Sequence, residues 1–204
     1  MKKINLYKNK LIKLKLIQTR IYKKNYNNFI KIEDISSRLK KALHIIYNYH
    51  MSNKRIVFIG TPLNVSYKFK KLLKTTKHIL IPESIWVPGL LTNQETCFKH
   101  FTRNPKSNEN KTSKILFQLK KKIDLIIVLN FIYNQEAINE AYLSRIPSIS
   151  LNCDLDVLNN ISSYKIPGNF KFTKKKIRDV IFYSILVATL KKAKRDFTLK
   201  KYVK

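Results

Sequence analysis

Apolar residues recur along the chain in two alternating patterns, which predict alternating helices and strands. The apolar positions from Ile35 to Tyr49 are spaced by three and four residues, which predicts an amphipathic helix. Three short runs at 55–60, 78–82 and 124–130 are rich in β-branched residues and nearly continuously apolar. Such runs are typical of strands that are buried on both faces of a sheet.

The remaining segments complete an alternating order of helices and strands. We predict helices at 64–74, 114–122 and 135–143, strands at 148–151 and 165–167, and a final helix that begins at Thr173. The segment 84–113 contains two prolines, a glycine and several Asn and Thr, and it predicts a long loop. The alternation implies an α/β fold with a mainly parallel sheet covered by helices on both faces.

The 204 residues are enough for one α/β domain with basic extensions. Residues 1–31 show little periodicity and are predicted to form a basic N-terminal extension, partly helical between Leu11 and Ile21. The predicted domain covers 32–195, and residues 196–204 are predicted to be a basic C-terminal tail.

The charge of the chain narrows its possible partners. The sequence has 42 Lys and Arg against 12 Asp and Glu, which gives a formal net charge of +30. The excess is concentrated at the two ends, 1–32 and 157–204. A compact protein with this charge repels itself and therefore needs a polyanion, which in a cell means nucleic acid or an anionic membrane.

The amino-acid composition also affects how much function can be assigned to an individual lysine. The chain has 35 Lys but 7 Arg, with many Asn and Ile and 3 Gly, a bias typical of an A/T-rich gene in an organelle, parasite or protist. Lysine binds phosphate as a point charge and lacks the bidentate fork of arginine. We therefore expect phosphate neutralisation from the lysines as a group.

The sequence favours neither an enzyme nor a membrane-spanning protein. No apolar run is long enough to cross a bilayer, and Cys97 and Cys153 give no disulfide framework. We find no nucleotide-binding glycine motif and no complete set of metal ligands, and predict no cofactor, metal ion or small-molecule substrate. The alternative hypothesis is a metal-dependent sugar-nucleotide-type transferase that uses Asp154 and Asp156. A peripheral membrane protein held by its basic arm and the helix from Val180 to Leu190 is a second alternative.

Several motifs, in order, resemble the bacterial-type second small-subunit ribosomal protein family. The segment 85–93 resembles that family's Arg-Trp-Leu-Gly-Gly-x-Leu-Thr-Asn and matches it at Trp86, Gly89 and 91–93. Residues 166–169 match its Ile-Pro-Gly-Asn. The other matching segments are Ile56–Thr61, Asp124–Val128, Glu136–Ala141 and Ile146–Pro147.

The chain departs from the family pattern in three places, and in one of them Phe170-Lys171 stands where the family usually has acidic residues after Ile-Pro-Gly-Asn. The family's Gly-x-His-x-Gly near the N-terminus is absent. Bacterial members have a long helical hairpin after the Thr-Asn segment, but here only 30 residues separate Asn93 from Asp124. We therefore expect the hairpin to be missing or vestigial.

The resemblance implies a Rossmann-like three-layer domain that holds no nucleotide and binds small-subunit ribosomal RNA between head and body, beside other ribosomal proteins. The lost insertion and the basic ends suggest a divergent member in the matrix of mitochondria; a plastid or apicoplast member is the alternative. Lys supplies phosphate contacts with little direct reading of bases. The predicted RNA-binding residues are Lys8, Lys10, Lys13, Lys15, Lys23, Lys24, Trp86, Thr92, Asn93, Lys171, Lys174, Lys175 and Lys176.

Overall fold

Five short parallel strands form the central sheet of the computed structural model. The sheet consists of β3 (Ile56–Thr61), β4 (Ile79–Pro82), β5 (Leu125–Val128), β6 (Ser148–Leu151) and β7 (Tyr164–Ile166). Their order across the sheet is β4-β3-β5-β6-β7, and every neighbouring pair is parallel. The structure describes residues 10–17, 22–25, 28–29, 31–61, 67–82, 85–103, 115, 117–131, 133–153, 161–168, 170 and 181–202.

Helices cover both faces of this sheet, as the sequence predicted. One face packs against α1 (10–17), α2 (Ile32–Met51), α3 (Tyr67–Lys74) and α6 (Ile181–Tyr202). The other face packs against α4 (Gln94–Arg103), a 3₁₀ turn (Gln118–Lys120) and α5 (Gln135–Leu143). Alternate residues of each strand enter alternate cores, because successive side chains of a strand point to opposite faces. In β3, for example, Phe58 belongs to the first core and Ile59 to the second.

The connections give the sheet a Rossmann-like topology. After β4, which lies on one side of β3, the chain returns to pair β5 with the other side of β3. All five strands begin at the same edge of the sheet, which we call the amino edge. The segments that enter β4, β3, β5 and β6 from their preceding helices (75–78, 52–55, 121–124 and 144–147) therefore meet along this edge.

The prediction of a long loop over 84–113 was wrong in part, because Gln94–Arg103 is a helix. Asn93 starts it, since its backbone oxygen accepts hydrogen bonds from the Cys97 N–H at 3.2 Å and the Thr96 hydroxyl at 3.2 Å. Phe98 is buried against the second core and stacks on Phe117, with ring centres 5.6 Å apart. This contact between distant segments stabilises a short, mostly polar helix.

The ends of the chain contain more structure than their composition predicted. The basic N-terminal segment includes a small antiparallel pair, β1 (Lys23–Asn25) and β2 (Asn28–Phe29). Helix α6 continues to Tyr202. The predicted start of the last helix at Thr173 lies outside the described residues.

Candidate nucleic-acid interface

The segment from Trp86 to Asn93, here called the 86–93 loop, connects β4 to α4 and makes a tight turn. Gly89 has a φ of +88°, in the left-handed region that side chains rarely adopt. A Cβ atom at Gly89 would also lie 3.2 Å from the Cys97 Sγ. The Asn93 N–H donates to the Gly89 oxygen at 2.8 Å and closes the turn. The positive φ and the close Cys97 sulfur therefore both favour glycine at this position.

A buried carboxylate from α5 fixes the loop. Glu140 is 7% exposed, and its Oε1 accepts hydrogen bonds from the Gly89 N–H at 2.8 Å and the Trp86 indole N–H at 3.3 Å. Its Oε2 accepts the Leu91 N–H at 2.9 Å. Three donors thus compensate the cost of burying this charge. Glu140 was not among the predicted site residues, although the Glu-Ala motif that contains it had been matched to the family.

The loop divides its side chains between the core and the surface. Leu90 and Leu91 are buried, and Trp86 packs partly buried against the second core. Thr92 and Asn93 are exposed. Of the predicted binding residues in this loop, Trp86 therefore anchors the backbone, while the next two polar side chains are presented to solvent. A hydroxyl and an amide can donate to phosphate oxygens and can also accept from a ribose 2′-hydroxyl.

A groove lies immediately beyond the loop. It has a volume of about 590 Å³ and its floor contains the stacked rings of Phe98 and Phe117. Two exposed lysines, Lys99 and Lys120, lie on its wall. The full lining consists of Gln94, Glu95, Phe98, Lys99, Phe117 and Lys120. The groove thus combines two aromatic rings with two cations and one carboxylate, and its lining begins directly after the 86–93 loop in the sequence.

The predicted lysines of the N-terminal segment lie in different settings. Lys10 and Lys15 are exposed on α1. Lys13 forms an ion pair with Glu33 at the start of α2, with an Nζ to Oε1 distance of 2.8 Å. Lys23 and Lys24 lie in β1. Lys8 and the four predicted lysines between 171 and 176 lie outside the described residues, so their part in the predicted set stays a prediction.

The residues of the alternative hypotheses receive no structural support. Asp154 and Asp156 lie outside the described residues. Among the residues that are described, no three His, Cys, Asp or Glu side chains are grouped so that they could hold a metal ion. None of the described helices is long and apolar enough to cross a membrane.

A histidine pair, with His78 buried and His50 half-buried, lies at the amino edge. The Nδ1 of His78 accepts the Ile56 N–H at 3.2 Å, so its Nε2 carries the proton and faces the Nδ1 of His50 at 2.8 Å. Burial, followed by the charges of His50 and Arg55, lowers the pKa of His78 to about 3. Burial and then Lys194 lower the pKa of His50. Both rings are therefore neutral at physiological pH and serve the packing of α2 against β4.

Comparison with known proteins relates this architecture to a family. The chain is 26% identical over 147 residues to the small ribosomal subunit protein uS2m of Schizosaccharomyces pombe, an alignment that covers 70% of the chain and 54% of that relative. It is 24% identical over 171 residues to the small ribosomal subunit protein uS2 of Endomicrobium trichonymphae, covering 72% of the chain and 69% of the relative. The chain thus spans about half the length of the first relative and two thirds of the second.

A sequence model of ribosomal protein S2 matches residues 12–190, which include the sheet, the 86–93 loop and Glu140. The predicted resemblance is confirmed over nearly the whole described α/β domain. The chain therefore belongs to the ribosomal protein S2 family.

Proposed function

We propose that the chain is a structural component of the small subunit of a mitochondrial ribosome and that it binds small-subunit ribosomal RNA without catalysing a reaction. The observation that carries the proposal is the S2 family match across residues 12–190. A relative designated uS2m supports the mitochondrial assignment. We place the chain between the head and body of the subunit, beside other ribosomal proteins, and the same membership supports this part of the proposal.

The chemistry of the described surface supports RNA as the partner. A net charge of +30 matches a polyanion, and phosphate contacts supply most of the affinity in such complexes. The 86–93 loop presents Thr92 and Asn93 on a backbone that Glu140 holds in one conformation. A preformed loop avoids the entropy cost of ordering during binding. Thr92 and Asn93 therefore provide positioned hydrogen bonds, while the lysines neutralise phosphates.

The proposal is tested by sedimentation of the tagged chain from organelle lysates. We expect it to sediment with small-subunit ribosomal RNA, to be released by nuclease, and to dissociate at high salt because counterion release drives the binding. A chain that remains at the top of the gradient before nuclease treatment, or floats with membrane vesicles after it, contradicts the proposal.

A pair of matched variants tests the loop. We expect Thr92→Ala combined with Asn93→Ala to weaken binding to purified small-subunit RNA about tenfold, the equivalent of ~1.4 kcal/mol. The control combines Asn139→Ala with Thr198→Ala, which removes an exposed amide and an exposed hydroxyl from α5 and α6. Equal affinities for the two double variants would remove the loop from the RNA interface.

A further inference from the structure

Exposed cations occur in each of the four segments that enter neighbouring strands at the amino edge. In the order of the sheet these are Lys77 before β4, Lys54 before β3, Lys121 and Lys122 before β5, and Arg145 before β6. They are distant in sequence, and the parallel topology alone brings them to one edge. We call this set the amino-edge row.

The segments that carry the row are joined to one another. The Asp124 N–H donates to the Arg55 oxygen at 3.0 Å, and the Arg55 N–H donates to the Asp124 carboxylate at 2.8 Å. The Ile56 N–H donates to His78 at 3.2 Å, which ties the β3 and β4 entries together. Because neighbouring strands lie ~4.8 Å apart, four adjacent entries extend over about 14 Å. The Ile126 N–H likewise donates to the Pro147 oxygen at 3.0 Å before β6, so the backbone segments that carry the row are held side by side along the edge.

Helix α6 adds further cations beside the row. Lys194 donates to the Thr75 hydroxyl at 3.3 Å in the segment that enters β4, and Arg195 next to it is exposed. The Asp196 carboxylate accepts the Tyr47 hydroxyl at 2.6 Å and so faces α2. The described acids closest to the row are thus hydrogen-bonded within the protein.

The exposed acids lie elsewhere on the described surface. Glu33 and Asp34 are in the first turn of α2, Glu95 is in the first turn of α4, and Glu136 is in the first turn of α5. Helices α2 and α5 run toward the amino edge, so the carboxylates at their starts lie at the opposite end of the domain. Helix N-termini favour negative side chains, which accounts for their placement. In the described segments of the amino edge the cations therefore outnumber the one acid, Asp124, whose carboxylate accepts the Arg55 N–H.

Arg145 occupies a backbone conformation that does not favour arginine. Its φ is +55°, in the left-handed region, where it follows the last turn of α5. The Arg145 N–H donates to the Tyr142 oxygen at 3.0 Å and the Ile146 N–H to the Ala141 oxygen at 2.8 Å, the bonding pattern of a Schellman motif. Glycine or asparagine suits this position at a lower conformational cost. A strained residue with an exposed charge is evidence for a role outside the fold.

We propose that the amino-edge row is a second RNA-binding surface, which binds the phosphate backbone of a double-stranded RNA segment. The inference rests on the proposed ribosomal function and adds a contact surface separate from the 86–93 loop. A duplex carries phosphates at short regular intervals, so a row of cations on a rigid edge meets several of them at once. The row consists of cationic side chains, which neutralise phosphates and carry no sequence information, and this fits contacts to the backbone and not to bases.

The test uses the full chain with a 24-base-pair RNA duplex of mixed sequence. The edge variant carries Lys54→Gln, Lys77→Gln and Lys122→Gln. The control variant carries Lys31→Gln, Lys41→Gln and Lys70→Gln, which removes the same charge from exposed positions on α3 and at the start and middle of α2. We expect the edge variant to bind at least tenfold more weakly in 100 mM salt, with the slope of log K against log salt reduced by about 2 to 3. The control is expected to change affinity by less than threefold.

A second variant separates binding from folding. Asn tolerates the left-handed region, so Arg145→Asn is expected to leave the Tm unchanged or raise it while the salt slope falls by about 1. A merely structural role for Arg145 predicts the reverse, with a lower Tm and unchanged RNA affinity.

The outcomes distinguish the inference from the function on which it rests. If the wild-type chain sediments with small-subunit RNA but the edge and control variants bind the duplex equally, the amino-edge surface is wrong and the ribosomal function stands. If wild type binds neither the duplex nor small-subunit RNA, both are wrong. The edge variant is also tested on vesicles of anionic lipid. If it no longer binds these vesicles but still binds RNA as wild type does, the row contacts a membrane and the inference is overturned.

Discussion

Among single residues, Glu140 connects the packing of the domain to the shape of the 86–93 loop. Substitution Glu140→Gln keeps an oxygen for the Gly89 and Trp86 donors but places an amide NH₂ opposite the Leu91 N–H. A buried donor left without an acceptor costs about 1–3 kcal/mol. We therefore expect the free energy of unfolding to fall by about that amount in urea titrations.

The fluorescence of Trp86 reports on the conformation of the 86–93 loop, because Trp86 is the single tryptophan of the chain. We expect the fluorescence of native Glu140→Gln to shift to longer wavelength as the indole becomes more exposed to water. Glu136→Gln is the matched control, since it makes the same chemical change at an exposed position on the same helix. Identical emission and stability for the two variants would show that Glu140 does not hold the loop.

The His78 ring gives the fold a defined dependence on pH. Its folded-state pKa of about 3 lies below the ordinary value of 6.5, so the unfolded chain binds the additional proton between these values. The His78 ring therefore leaves the free energy of unfolding at its full value above pH 7. This free energy decreases as the pH falls from 6.5 toward 3. The loss is ~1.4 kcal/mol per pH unit, or about 2 kcal/mol at pH 5. We expect urea titrations to show this decline and His78→Asn, which cannot titrate, to show a shallower one.

At the scale of elements, helix α1 is attached to the domain through one apolar side. Leu16 is fully buried in the first core, whereas Leu14, two residues earlier, is 57% exposed. A lysine at position 16 cannot be buried without a large desolvation cost. We expect Leu16→Lys to detach α1 and to make this segment sensitive to limited proteolysis while the α/β domain remains resistant.

Leu14→Lys is the control for this experiment, because it adds the same side chain at a position that is already in water. Its cleavage rate within 10–17 should match that of the wild-type protein. Equal protection of Leu16→Lys and Leu14→Lys would contradict the docked position of α1.

The elements that the sequence predicted well are those with a strong local pattern. Continuous β-branched runs gave the strands at 56–61 and 125–128 to within two residues, because a strand buried on both faces needs apolar side chains throughout. Helix α4 was missed because Phe98 is the one residue of its described side chains that is buried. Its stability depends on Phe117, nineteen positions away, which local periodicity does not report.

The candidate site likewise has a part that a local sequence pattern predicts and a part that depends on contacts between distant residues. The 86–93 loop was identified from its motif, which is contiguous in sequence. The partner that holds it is Glu140, about 50 positions further on, and a buried glutamate on a helix looks like any other polar residue until the contact is known. The amino-edge row was not predicted either, since its members come together only through the parallel strand order.

For the whole molecule, a net charge of +30 makes the free protein sensitive to ionic strength. The compact state concentrates like charges, and salt screens their repulsion over a Debye length of ~10 Å at 0.1 M. We expect the Tm of the free chain to rise by several degrees between 50 and 300 mM NaCl. The same salt weakens RNA binding, because each counterion released then gains less entropy.

The two salt effects oppose each other in the complex, and this opposition is measurable. In low salt an RNA duplex added in excess should raise the Tm more than NaCl does, because a ligand that prefers the folded state stabilises it by mass action. As salt increases, the Tm of the complex should fall while that of the free chain rises, until the two curves meet where binding is lost. Parallel rising curves would mean that the duplex does not bind the folded protein through its charge. The salt concentration at the meeting point should be lower for the variant with Lys54→Gln, Lys77→Gln and Lys122→Gln than for its matched control, because fewer phosphate contacts then hold the duplex.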